Sequence, residues 1–357
     1  MAAPAPRDAA TVVIVRNAPP PRTGIEVLLL QRAEGADHNS GAWVFPGGVV
    51  DRGDRSPSEV APGLTDLQAS ERLGLESGGL AFYLAAIREC FEEAGILLAV
   101  NARGDYVSLE DETGWPTATM RRDLTQGVAT LSTLCTRYGL RLVAERLHYI
   151  AHWLTPTGRA KRFDTRFFLA LSPGVQAAVP DRTETLDHVW IAPEEALSPS
   201  NLRRLMVPTR ETLLMLCGLP DCAAAIRWAE HLRGVTCIQP WLALTSRGIE
   251  SVPPSHPAYD EVLKLDPAGQ CAAWCELRPG VPVQISDHVM RITGSDGSHT
   301  YRVGSPMQGW QDVSPSSLHL VEQDRLLIAP DMTSLAVNDR EKADWLAAGR
   351  GFLQRLR

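Results

Sequence analysis

No run of this sequence stays apolar for the length that a bilayer crossing requires, and the opening Met1-Ala2-Ala3-Pro4-Ala5-Pro6 lacks the apolar centre of a secretory signal. Both absences lead to the expectation of a cytoplasmic protein without a membrane partner. Positive charge is not in excess: 35 Lys and Arg face 42 Asp and Glu, and a net charge of −7 argues against nucleic acid as a bulk electrostatic partner. Cysteine is sparse and unpatterned, at 90, 135, 217, 222, 237, 271 and 275. An odd count without zinc-finger spacing excludes a secreted disulfide framework and a small zinc module, although Cys271 and Cys275 could face together on a helix. The expectation is reduced, mostly buried thiols. What remains is ordinary soluble composition, 44% hydrophobic and 22% charged over 357 residues, enough for two domains.

Chemistry-bearing residues are concentrated between Phe45 and Ile96. Leu84-Ala85-Ala86-Ile87 are good helix formers and run into Arg88-Glu89-Cys90-Phe91-Glu92-Glu93-Ala94-Gly95-Ile96, so the spacing predicts a helix ending near Gly95. Glu89, Glu92 and Glu93 then sit three and four residues apart on one face, with about 5–6 Å between Cβ atoms. Three such carboxylates repel one another and raise their own pKa values unless a cation neutralises them, and hard divalent cations select oxygen ligands of this kind. Taken alone, the pattern also suits a solvated acidic helix face. Upstream, Phe45-Pro46-Gly47-Gly48-Val49-Val50-Asp51-Arg52-Gly53-Asp54 is a glycine-punctuated loop leaving a short apolar strand, Trp43 to Phe45.

Loop and helix together resemble the Nudix box, whose pattern is Gly, five residues, Glu, seven residues, then Arg-Glu-aliphatic-x-Glu-Glu-x-Gly-aliphatic. Arg88 to Ile96 match in order, with Cys90 in the first aliphatic position; Gly48 matches in the loop, and Asp54 stands where the family has Glu. The residues from 55 to 87 lie between the two halves, so the box is split by an insertion, Arg55 to Gly79, that is too polar for a core of its own. This resembles the subfamily that contains the peroxisomal coenzyme A diphosphatases, yet the chain ends Leu356-Arg357, without a Ser-Lys-Leu signal. Leu28, Leu29, Arg32, Gly41 and Phe45 to Gly48 also fit the spacing of the coenzyme A diphosphatase motif, with Leu30, Ala33 and Asp37 in place of its Thr, Ser and second Arg.

The resemblance implies an α/β fold, a Nudix α/β/α sandwich with a mixed sheet. It implies Mg²⁺ or Mn²⁺ on Glu89, Glu92, Glu93 and the Gly48 carbonyl, with Arg88 turned away to pair with Asp54, and Gly95 closing the helix. Arg32, Phe45 and Gly47 would contact substrate, and a basic residue between Arg159 and Arg166 could replace the missing second Arg. The general base is a box Glu or a carboxylate from a later loop. The implied activity is hydrolysis of the pyrophosphate bond of a nucleoside diphosphate linked to another moiety, coenzyme A or acyl-coenzyme A first. The alternatives are an ADP-ribose, dinucleotide or sugar-nucleotide pyrophosphatase, and a nucleotide-binding module without turnover. The partner is thus a small-molecule nucleotide; the sequence does not give an oligomeric state.

Along the rest of the chain, Thr11 to Arg16, Glu26 to Arg32, Arg146 to Leu154, Phe163 to Ala170 and Glu184 to Ile191 read as strands. Alternation places His148, Ile150 and His152 on one strand face, in structural roles. Met120 to Tyr138 and Asn201 to Cys217 have helical apolar spacing, and Pro193 suits a helix start. A Nudix domain over 1–245 with the 55–79 insertion is expected, followed by a β-rich region over 246–357. In that region 287–304 resembles the opening hairpin of a metallo-β-lactamase fold, without its His-x-His-x-Asp-His ligands. The insertion interrupts a loop beside the metal, so it is expected to flank the substrate entrance.

Overall fold

The computed structural model describes residues 4–33, 40–55, 58–109, 116–266 and, with short interruptions, 268–328. Asp37 lies outside the described residues. The chain divides into two compact units, one comprising Ala5–Leu154 with Arg162–Ile238, the other taking in Thr155–Lys161 and the chain from Gln239 onward.

The strands of the first unit are β1 (Arg7–Asn17), β2 (Ile25–Arg32), β3 (Trp43–Val44), β4 (Gly47–Val49), β5 (Ala99–Val100), β6 (Arg141–Leu142), β7 (His148–Leu154), β8 (Phe163–Leu171), β9 (Thr185–Ile191) and β10 (Cys237–Ile238). Eight of them form one sheet in the order β10-β7-β8-β1-β2-β3, with β4 on β1 and β9 on β2, while β5 and β6 pair separately. Strands β1 and β8 run parallel and β1 and β2 antiparallel, so the sheet is mixed.

Period-two alternation along β1 explains the layering. Val12 and Ile14 join Leu28, Leu30 and Phe168 under helix α2 (Gly79–Ala94), which follows α1 (Asp66–Leu73). Val13 and Val15 join Leu29, Leu169 and Trp153 on the opposite face. That second face is covered by α6 (Val207–Leu216) and α7 (Cys222–His231), the elements before them being α3 (Thr117–Thr125), α4 (Leu131–Tyr138) and α5 (Pro193–Leu197). The result is the α/β/α sandwich.

Four sequence expectations are corrected. The single helix over Met120 to Tyr138 is two, because Gly127 turns left-handed at φ 67° and Thr130 caps a new start by accepting the Thr133 N–H. The alternation of β7 slips at a bulge between Tyr149 and Ala151, so Ile150 enters the same core as Ala151 and Trp153. The helix expected from Asn201 begins only at Val207, where Pro208 sits in the first turn. Residues 201–206 form neither helix nor strand, and Leu205 bridges to Trp43 in parallel register. Cys271 and Cys275 share no helix, since Cys271 has φ 63° in a turn.

The second unit contains β11 (Trp241–Thr245) paired with β12 (Gly248–Val252), helix α8 (Tyr259–Leu265), and an antiparallel meander of β13 (Pro282–Ser286), β14 (Val289–Thr293), β15 (His299–Ser305) and β16 (Gly309–Val313). Its own small core includes Ala243, Val252, Ala258 and Val262. Among the described residues no helix is long and apolar enough to cross a membrane.

Candidate active site at the end of the box helix

The two halves of the split box are closed on each other by Arg88. Its Nε donates to Asp54 Oδ1 and its Nη2 to Asp54 Oδ2, each at 2.9 Å, and Nη2 also donates to the Val49 carbonyl at 2.8 Å. Asp54 makes this two-point pair despite being one carbon shorter than Glu, because the tight turn Gly53–Arg55 carries its backbone inward; the same carboxylate accepts the Asp51 N–H at 2.8 Å. Arg88 is not turned away from the acidic face, however. Its Nη1 donates to Glu89 Oε1 and Glu92 Oε2, both at 2.9 Å.

Glu93 points elsewhere, accepting the Gly47 N–H on Oε2 at 2.9 Å. Gly48 packs against the Glu89 carboxylate, where an added Cβ would lie 2.3 Å from Oε1 and displace it. Among the described residues no group of three His, Cys, Asp or Glu side chains is gathered for a metal. Glu89 and Glu92 meet on Arg88 Nη1, whereas Glu93 is held apart on the Gly47 amide.

Charge balance nevertheless suits a cation. Three carboxylates, Asp54, Glu89 and Glu92, share the Arg88 guanidinium, and Glu93 stands beside Glu89 with Arg32 as its nearby cation. Burial pushes Glu89 up to about 7, opposed by Arg88 and reinforced by Glu92. Burial, then the Glu89 charge, raises Glu93 well above the usual carboxylate range, while the Gly47 amide and Arg32 act in the other direction. Glu92 is raised by burial against Arg88. An oxygen-only set short of positive charge fits a hard divalent ion.

Both ends of α2 are held by residues that sequence reasoning missed. At its start, Asp66 of the insertion accepts the Gly78 and Leu80 N–H groups at 2.9 Å each, and Ser70 Oγ accepts that of Gly79 at 2.9 Å. Buried Leu64, Ala69 and Leu73 extend the core beneath α2. The described part of the insertion therefore braces the N-terminal end of the box helix, while Glu89 to Glu93 lie about 15–20 Å further along at 1.5 Å per residue. This bracing role stands beside the expectation that the insertion flanks the substrate entrance.

At the other end, Gly95 takes φ 71° and its N–H bonds Phe91 O. Arg121 Nη2 donates to Glu92 O at 2.7 Å, the Asp181 N–H and Thr185 Oγ1 donate to Glu93 O at 3.2 and 3.1 Å, and the Val179 N–H donates to Ala94 O at 2.8 Å. The last carbonyls of the helix are thus satisfied. Asp181 is itself fixed by the N–H groups of Glu184 and Thr185, which leaves the exposed Glu184 side chain close enough to raise Glu93.

Of the residues expected at substrate, Arg32 lies where its charge reaches Glu93, and its Nε is buried without a hydrogen-bond partner among the described residues. Gly47 is spent on Glu93. Phe45 is 3% exposed and packs edge-on to Phe167 with ring centroids 6.5 Å apart, so it is a core residue of the far face. Of the basic residues between Arg159 and Arg166, buried Arg166 is paired with Asp164 and His152 and Arg162 is buried too, while Arg159 and Lys161 belong to the second unit. His152 also meets Asp164 Oδ1 at 2.5 Å, the structural role expected of it.

A family profile described as the NUDT19 Nudix domain matches residues 65–210. The chain is 30% identical to the acyl-coenzyme A diphosphatase NUDT19 of Gallus gallus over 284 residues, 67% of this chain and 75% of that protein. It is 31% identical to the Homo sapiens protein of the same name over 224 residues, 53% of this chain and 59% of that one. Among solved structures, a NUDIX hydrolase from Alicyclobacillus acidocaldarius superposes with a TM-score of 0.50 at 26% identity, covering 62% of this chain and 96% of that one.

Proposed function

This chain belongs to the Nudix hydrolase family, in its NUDT19-type branch, and we propose that it hydrolyses the pyrophosphate bond of coenzyme A or acyl-coenzyme A. The observation that carries this reading is the Asp54–Arg88 closure at 2.9 Å, which joins the two halves of the box across the inserted residues. The names of the relatives support the substrate class. Nudix hydrolases generally need divalent metal ions; we take the ion here to be Mg²⁺ or Mn²⁺, held by Glu89, Glu92, Glu93 and the Gly48 carbonyl. Such an ion supplies neutralisation of the pyrophosphate charge and a more acidic water.

The protein's own groups do the rest. Arg88 keeps Glu89 and Glu92 beside each other and would release them to the ion while retaining Asp54. The Gly47 amide fixes Glu93. Arg32, beside Glu93, offers a cation to the substrate's phosphates. Water oxygen bonds to one phosphorus as the bridging P–O bond breaks; the bridging oxygen leaves with the other phosphate, and a carboxylate takes the water proton. The acceptor would be Glu89 or, from the loop before β9, Glu184. The predicted products are 3′,5′-ADP and 4′-phosphopantetheine, or its acyl form.

The test is turnover of a panel containing coenzyme A, an acyl-coenzyme A, ADP-ribose and a dinucleoside polyphosphate with Mg²⁺ or Mn²⁺, products identified by mass spectrometry. Coenzyme A species should give the highest kcat/KM. A higher value for ADP-ribose or the dinucleotide would replace this reading with the alternative substrate class, and no turnover of any member would make the chain a binding module.

A further inference from the structure

The segment from Asn201 to Met206, irregular rather than helical, meets β3 at the sheet edge next to the box loop. The Trp43 N–H donates to Arg204 O at 2.9 Å, and Leu205 bridges Trp43. On the adjacent strand, the Arg32 N–H donates to Ala42 O at 3.0 Å, and the Gly41 N–H donates to Arg32 O at 3.1 Å. Ala42 thus lies between Arg32 and Arg204 in one row across three chain segments.

Pleating decides which side chains share a face. Leu205 packs with Trp43 in the core of the far face, and the Arg203 guanidinium lies 4.9 Å from the Trp43 ring centroid on that same side. Arg204, between them in sequence, projects to the opposite face. This is the α2 face, where Leu28 and Leu30 lie and where Arg32 reaches Glu93. Arg204 is exposed, with Nη2 donating to Ser40 O at 3.3 Å. The two arginines stand two strand spacings apart, about 10 Å between Cα atoms, within the span that two long side chains close on one phosphate. The register of the bridge sets half-buried Val44 and Met206 opposite each other, one position on from Trp43 and Leu205.

We propose that Arg204 pairs with Arg32 to bind the 3′-phosphate of a 3′-phosphoadenosine group, with Val44 and Met206 under its nucleoside. This rests on the coenzyme A reading above and names the residue that takes the place of the motif's absent second Arg. Arg204 reaches the site from 172 positions further along the chain than Arg32, so the short-range motif does not contain it. The occupant is a phosphomonoester because guanidinium pairs favour a dianion with several acceptor oxygens.

Two measurements test it on the full chain. The first compares kcat/KM for coenzyme A with that for 3′-dephospho-coenzyme A in the wild type, Arg204→Ala and Arg204→Lys. The wild type should prefer coenzyme A, and Arg204→Ala should reduce that preference about ten- to a hundredfold, mainly through KM, with Arg204→Lys partly restoring it. The second measures binding of adenosine 3′,5′-bisphosphate and of AMP by calorimetry, which requires no turnover. Arg204→Ala should weaken the bisphosphate and leave the AMP affinity within twofold. A preference ratio and bisphosphate affinity unmoved by Arg204→Ala would overturn the assignment. Wild-type failure to cleave coenzyme A would instead overturn the substrate reading, and the bisphosphate titration would still decide the role of Arg204.

Discussion

Replacing Arg88 by Met tests the closure of the split box most directly. Arg88 is 8% and Asp54 3% exposed, so the change strands a buried carboxylate whose other hydrogen bond comes from the Asp51 N–H. Breaking a buried ion pair from one side costs about 3–5 kcal/mol. Release of Glu89 and Glu92 adds repulsion at neutral pH, and loss of the Val49 carbonyl's partner adds a further hydrogen-bond deficit. For a domain of this size, each kcal/mol lowers the melting temperature by about 2–4 °C, so a fall of about 10 °C is expected. Circular dichroism melts at pH 8 without divalent ions would measure it. The double variant Arg88→Met with Asp54→Asn should lose at least about 1.5 kcal/mol less than the sum of the single variants, since neither then leaves an unpaired charge. A loss under about 1 kcal/mol for Arg88→Met, or strict additivity, would refute the claim that this pair joins loop to helix.

Other consequences can be measured independently. Glu92→Gln and Glu93→Gln should each lower kcat at least about a hundredfold while far-ultraviolet circular dichroism is retained, and near wild-type rates at saturating Mg²⁺ would remove these residues from the metal site. Burial raises Glu89 from 4.5 to about 7, so the folded protein without a cation holds a proton that the unfolded chain gives up. Stability should therefore fall as pH rises from about 4.5 to 7, and Mg²⁺ binding at pH 6.5 should release protons, read by calorimetry in buffers of different ionisation enthalpy; absence of release would contradict the raised value. Asp66→Ala should lower the melting temperature through loss of the cap on α2, at about 1–2 kcal/mol, while changing the ranking of substrates little. A changed ranking with an unchanged melting temperature would assign the insertion to the substrate entrance.

How much was legible in the sequence depended on the range of the interaction. Arg88 to Ile96 follow one another along a helix, and periodicity alone places their side chains. The Asp54–Arg88 pair could be expected from family pattern across an insertion of any length. The position of Arg88 Nη1 could not, because a guanidinium with five donors serves several carboxylates at once and spacing does not say how it divides them. Phe45 was misread because motif membership says nothing about which sheet face a strand residue takes. Arg204 was hidden for a tertiary reason: Asn201 to Cys217 carries helical apolar spacing, but Pro208 sets the start of the helix and leaves the residues before it to the sheet edge.

The split box itself follows from polymer physics. Extending the connection between Asp54 and Arg88 from seven to 33 residues adds only about 1.4 kcal/mol of loop-closure entropy, because that cost grows with the logarithm of length. The insertion offsets this locally. Asp66 and Ser70 satisfy the amides of Gly78, Gly79 and Leu80, and Leu64 and Leu73 are buried at 1% and 6% exposure. Burying either leucine contributes about 1.5–3 kcal/mol, so either one matches the closure cost. The inserted residues are therefore compatible with an intact box helix. They hold the start of α2 at one end while Arg88 holds the loop at the other, and the carboxylates between inherit their position from both.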